Sequence, residues 1–195
     1  MRNRHKDKIT TIPEGLLAHL RDDLGSRRIA NGIDHLTRHR RVLAALKPSQ
    51  KDAATLVGLL AQWVDVGFDR PLLVKDLLSR FPQVTRDSLP LCDYLQLRMA
   101  EGFVAMSEEN YENAIRHFET VLTFEDELQD RELLAIANFW IARSQRKMGR
   151  YESALKYVVK GKELALGLQL PKMAAIGQVL ESWLKFQEGK PEEAS

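Results

Sequence analysis

Apolar side chains return every three or four residues along most of this chain, and short clusters of Gly, Pro, Asp and Glu interrupt them. Leu95, Met99, Gly102, Phe103 and Met106 share one helical face. The same spacing links Leu134, Ala137, Ile141 and Ala142, and later Ile176, Val179, Leu180 and Trp183. Gly167 followed by Pro171 predicts a helix end, a short turn and a new helix. Asp130 stands where a side-chain oxygen caps the helix beginning at Arg-Glu-Leu-Leu. Upstream, residues 52–66 are apolar at helical spacing, Gly67-Phe68-Asp69 reads as a turn, and 71–81 as a second helix. Residues 15–24 and 27–46 predict two further helices around Gly25-Ser26, ending at Lys47-Pro48-Ser49, with Gly32 leaving the middle of the second open. The pattern predicts an all-α protein.

Three segments repeat one design. The first reads Glu108-Glu-Asn-Tyr111-Glu-Asn-Ala114-Ile115, and the second Met148-Gly149-Arg-Tyr151-Glu-Ser-Ala154-Leu155. The third, Glu188-Gly189-Lys-Pro191-Glu-Glu-Ala194, stands at the end of the sequence. Ala114, Ala154 and Ala194 are 40 residues apart, and twelve residues before each stands Gly102, Ala142 or Ser182. Small residues twelve apart across a turn would lie opposite each other on two antiparallel helices, where side-chain bulk limits the approach. Leu72, 42 residues before Ala114, holds the same place in a weaker copy. A fixed period of this length is the mark of stacked repeats.

These residues resemble tetratricopeptide repeats, in the long form with a period near forty. The likeness rests on Gly102, Tyr111, Ala114, Ile115 and Phe118 in one copy and on Ala142, Gly149, Tyr151, Ala154 and Leu155 in the next. Gly189, Pro191 and Ala194 open a third. Ala165-Leu-Gly-Leu-Gln-Leu-Pro171 is similar to arrays in large bacterial transcription regulators. The resemblance implies a right-handed α-α superhelix, a solenoid of antiparallel helix pairs. Residues 1–50 would be a basic helical segment and 51–195 the repeat domain, with copies at 51–86 (degenerate), 91–129, 130–169 and 170–195 (incomplete). There are departures: Arg98 and Asn138 stand where a large apolar residue is expected, and Val158 where an aromatic is. Met99 and Phe103 replace the Lys and Asn with which some family members clamp a terminal carboxylate.

The resemblance further implies a non-catalytic module that binds a protein or peptide on its concave face. By register that face would present Gln96, Met99, Phe103 and Met106, then Ile136, Phe139, Arg143, Arg146 and Lys147, then Ile176, Val179, Trp183 and Phe186. From the residues alone, Phe139, Arg143, Arg146 and Lys147 share one helical stripe. An apolar shelf beside three cations suits an acidic, partly hydrophobic peptide. The competing reading makes the cations a solvated helix end favoured by the dipole and the aromatics simply core.

Composition changes this picture only a little. Hydrophobic residues make up 44% and charged residues 29%, as in a soluble globular chain and not a disordered one. Cys92 is the single cysteine, so no internal disulfide forms, which fits a reducing cytoplasm. No apolar run reaches bilayer length and no signal peptide is recognisable. Net charge is +2, but residues 1–51 hold 12 Lys/Arg against 5 Asp/Glu. Arg27-Arg28 and Arg38-His39-Arg40-Arg41 raise an alternative: a sensor part of a transcription regulator whose basic segment contacts nucleic acid. Gly25, Gly32 and Pro48 fit a helix-turn-helix poorly. No phosphate loop, metal motif or cofactor motif is present. The run 125–130 lacks the ligand spacing of a calcium loop, His117 is a lone helical histidine, and Cys92 has no base nearby in sequence. At the other end, the helix with Leu180, Trp183, Leu184 and Phe186 would expose apolar surface unless the natural chain continues past Ser195 or two chains cover each other's ends.

Overall fold

The structure is a computed structural model that describes residues 11–68 and 70–189. Eleven helices follow one another in this part, with no strand among the described residues. They are α1 (Leu16–Gly25), α2 (Ile29–Arg38), α3 (Arg40–Ala44), α4 (Ala53–Asp65), α5 (Pro71–Ser79) and the four-residue α6 (Gln83–Arg86). Then come α7 (Leu91–Ser107), α8 (Tyr111–Leu122), α9 (Arg131–Lys147), α10 (Tyr151–Gly167) and α11 (Pro171–Gln187). None of the described helices is long and apolar enough to cross a membrane.

Helix starts follow their sequence signals. Asp130 accepts the Leu133 N–H at 3.4 Å and Asn110 the Asn113 N–H at 3.3 Å, each filling one of the donors a helix leaves unpaired. Pro71 and Pro171 occupy first turns, where no N–H is needed. Helix ends are more uniform than the sequence suggests. One turn closes α1, α4, α7, α9 and α10: a residue at positive φ (Arg27, Gly67, Glu109, Gly149, Gln169) follows the helix. The next N–H then reaches back five residues, as in Asn110 to Ala105 (2.9 Å) and Arg150 to Gln145 (3.0 Å). This is a Schellman cap. Its positive-φ position recurs at 27, 67, 109 and 149, and Gly189 takes the same conformation after α11.

Three of these positions carry side chains that the left-handed region disfavours. Glu109→Gly is therefore expected to stabilise the protein by about 0.5–1 kcal/mol, the strain relieved exceeding the entropy that glycine adds to the unfolded chain. A urea titration checks it. A midpoint that falls would show that Glu109 is held by contacts outweighing its backbone cost.

The helices pack on their neighbours in order: α7 with α8, α8 with α9, α9 with α10 and α10 with α11. Upstream, α1 packs on α2 and α4, and α7 receives both α4 and α5. Leu16, Leu20, Leu36 and Leu43 share one core with Leu56, Leu60, Leu95 and Phe118. A smaller cluster of Ala142, Ala154, Val158 and Leu184 continues it towards α11. Arg150, capping α10, pairs with Glu112 of α8 (2.6 Å), Tyr157 of α10 donates to Glu119 of α8 (3.1 Å), and Lys160 of α10 reaches Glu125 just past α8 (3.0 Å).

Close approaches are made by glycines that seat a neighbour's side chain. Gly32 on α2 takes the Trp63 indole, Gly58 on α4 takes Gln96, and Gly102 on α7 takes the Phe118 ring. Gly161 and Gly177, on α10 and α11, both receive Phe139. The closest approach at Gly102 is thus to Phe118, one turn beyond the Ala114 expected from the twelve-residue spacing. Ala142 and Ala154 do share a cluster. The helix expected over 27–46 is divided into α2 and α3 at His39, and Gly32 lies inside α2. The short α6 has no counterpart in the expected elements.

Candidate functional site

The surface residues expected to line a binding face divide into three groups. Gln96, Met99 and Phe103 are buried, so they line no open surface. Gln96 lies on Gly58, and Phe103 meets the edges of Phe118 (5.4 Å) and Trp140 (4.6 Å). The hollow between α4, α5 and α7, walled by Ala61, Val64, Val74 and Phe103, has no room for a water molecule. Met106 and Ile136 are half-buried against the same core. Helical spacing places these residues on one face but does not say whether that face is covered, and here α4 covers it.

The second group wedges helices apart or together. Phe139 lies against Gly177 (2.9 Å from a β-carbon built there) and Gly161 (3.2 Å), joining α9 to α10 and α11. Arg143 pairs with Asp65 of α4 at 2.7 Å and lies over the Trp140 ring at 4.8 Å. Of the three cations expected beside an apolar shelf, Arg143 is thus paired with a carboxylate 78 residues away. Trp140, which sequence reading passed over, is the ring that carries this bridge.

The third group is accessible. Arg146 stands over the Trp183 ring at 5.1 Å, and Tyr151 meets Trp183 edge-on at 5.8 Å. Lys147 is exposed at the end of α9. On α11, Ile176, Val179, Trp183 and Phe186 are exposed, while Ala174, Gly177, Glu181 and Leu184 face inward. Glu181 accepts from Lys185 (3.2 Å) and from Lys162. Burial alone would raise the Glu181 carboxyl, but these two lysines hold it below its usual range. The α11 first turn touches the turn after α1 through Lys172 Nζ and Ser26 Oγ, 3.3 Å apart.

The residues considered for chemistry have structural partners. His117 Nδ1 is 3.3 Å from Glu101 Oε2, in a cluster with Arg86 (2.5 Å) and Arg98 (2.6 Å) that joins α6, α7 and α8. Burial would raise Glu101, yet His117, Arg86 and Arg98 together lower it to about 2. Arg98, a departure from the expected pattern, takes part in this cluster. Asn138, the other departure, is buried and donates to the Leu134 carbonyl at 2.9 Å, with Gly161 closing over it. Burial raises the Cys92 thiol, and Asp130 and Asp93 add to the effect, so the reactive thiolate is disfavoured. Of the basic residues, Arg28 pairs with Asp22 and Asp23, and Arg38 with Asp34, while Arg27, Arg40 and Arg41 are exposed. His5 and the other basic residues before position 11 lie outside the described residues.

In comparisons with known proteins, no family model and no curated protein matches the chain.

Proposed function

We propose that this chain is a non-catalytic, cytoplasmic protein-binding module: a tetratricopeptide-type right-handed α-α superhelix that takes a protein or peptide partner. The observation that carries the reading is the Schellman turn, whose positive-φ residue recurs at 27, 67, 109 and 149, a spacing of forty or so, with Gln169 after α10 a further one between 149 and Gly189. A stack of equivalent hairpins with sequential packing is an extended surface, and such surfaces serve recognition. The Asp65–Arg143 and Ser26–Lys172 contacts support a curved stack, because each joins helices that are not successive.

The partner-binding place is the shelf of Arg146, Lys147, Trp183 and Phe186. A cation above an indole offers charge and apolar surface together, which suits an acidic peptide with an aromatic or aliphatic anchor. Selection from a displayed library of acidic amphipathic peptides tests this. Enriched peptides are expected to bind in the micromolar range and to lose about tenfold or more in affinity on Arg146→Glu, the loss of one charge-assisted contact. Arg146 suits the test better than Arg143, whose reversal also breaks the bridge to Asp65. Enrichment that is indifferent to both Arg146→Glu and Trp183→Ala sinks the assignment. The alternative, nucleic-acid contact through Arg27, Arg40 and Arg41, requires binding that weakens steeply with salt.

A further inference from the structure

We propose that the turn after α1 is a latch on α11: the contact of Ser26 with Lys172 closes the last described helix onto the first, and α11 swings away when that contact is screened by salt. The inference holds whichever partner the protein takes. Where helices pack only on their successors, the first and last have no reason to meet. Here Lys172 Nζ and Ser26 Oγ are 3.3 Å apart across 146 residues of chain. Ser26 is the C-cap of α1, and Lys172 lies in the first turn of α11.

The charges around this contact are matched. Asp22, one turn before Ser26, is held below its usual range by Arg28, and Lys172 adds to the effect. Arg21, next to it, acts on the start of α9: burial and Asp130 push the Glu132 carboxyl up, and Arg21 opposes them. The last turns of α1 thus set an anion near α11 and a cation near α9. Arg21, Asp22, Glu132 and Lys172 are all exposed, and Ser26 is half-buried. Attraction between groups so placed is modest and falls with ionic strength.

The packing shows which side moves. Leu16 and Leu20 of α1 belong to the main core, and α1 packs on α2 and α4, so the first helix is anchored. α11 is held more lightly. Its buried apolar side chains are Ala174 and Leu184. Leu184 joins the small cluster of Ala142, Ala154 and Val158, apart from the main core. Elements with few buried apolar contacts are the first to open. The Asp65–Arg143 pair ties α4 to α9 at 2.7 Å and stays in place when α11 moves. Lys172, Ile176 and Val179 share one helical stripe, so the latch sets how far that stripe stands from α1.

Distances between nitroxide labels at Ala30→Cys on α2 and Ala175→Cys on α11, in the full chain carrying Cys92→Ala, test the latch. At about 20 mM salt one narrow distance is expected; at about 1 M, where screening acts within about 3 Å, a second and longer one joins it. Lys172→Glu is expected to bring in the longer distance at low salt, lowering the short-to-long ratio about fivefold, the scale of a surface pair. Ser26→Lys added to Lys172→Glu exchanges the partners' charges and is expected to restore the short distance. Lys147→Glu, which removes an exposed cation from α9, is expected to leave it unchanged. Circular dichroism of each variant is expected to match that of the parent, since only surface side chains change. A distance that ignores salt, or ignores Lys172→Glu, overturns the proposal. So does a failure of Ser26→Lys to restore it, or an equal lengthening by Lys147→Glu.

Discussion

Chemical denaturation of Gly102→Ala is expected to show a protein less stable by about 1–2 kcal/mol, although in an ordinary helix the same change stabilises by about 1 kcal/mol. The sign is set by what the new methyl meets. A β-carbon at Gly102 falls on the Phe118 ring, a fully buried side chain that also packs edge-on against Phe103. An aromatic ring in such a site has no free torsion to give, so α7 and α8 must move apart and loosen the leucines around them. Overpacking of this kind costs about 1–3 kcal/mol or more, enough to exceed the propensity gain. Phe118→Ala alone is expected to cost about 3–5 kcal/mol, since it leaves a void that the helices cannot close. Adding Gly102→Ala to Phe118→Ala should then raise stability, because the methyl occupies part of that void. A double-mutant cycle that gives additive effects would show that the notch is not where the helix spacing is set.

The same contact explains which parts of the fold were legible in the sequence. Where a turn uses glycine, as at Gly149 and Gly189, or where proline opens the next helix, as at Pro171, the boundary is visible because few other residues serve there. Where the same backbone is carried by Arg27, Glu109 or Gln169, nothing in the residue type announces it, and the period through the first third of the chain goes unseen. Gly32 misled in the opposite direction. It looks like a helix breaker, yet its role is to admit Trp63, which is 31 residues away and unconnected by any local pattern.

The candidate site was legible only on α11, the last described helix. Val179 and Phe186 are open because no described helix lies over them. Met99 and Phe103 likewise recur at helical spacing on α7, but α4 packs on that helix directly and the face is interior. Periodicity reports which residues share a face; long-range packing decides what covers it. Charge obeys the same limit. Arg143, Arg146 and Lys147 are equivalent on a helical wheel, and only the fold brings Asp65 to one of them.

At neutral pH, Glu101→Gln is expected to be less stable than the parent chain by about 3 kcal/mol, with the gap closing as the solution is acidified. The carboxyl lies at about 2 in the folded protein against an ordinary value of 4.5. Folding therefore favours its ionised form. The resulting stabilisation is complete above the unfolded value and is lost as pH falls from about 4.5 towards 2. Its physical source is a carboxylate largely withdrawn from water, held by Arg86, Arg98 and His117 from three helices. Replacing the carboxylate by an amide leaves two guanidinium groups facing each other with no negative charge between them. Arg86 also donates to the Phe81 carbonyl at 2.8 Å, so the segment around α6 loosens first. Because the cluster is only slightly exposed, added salt should change the gap little, unlike that of a surface pair. Urea titrations of both proteins between pH 7 and 2.5 measure it. A gap that stays constant across that range would mean that packing of the Glu101 side chain, and not its charge, ties α6 to α7 and α8.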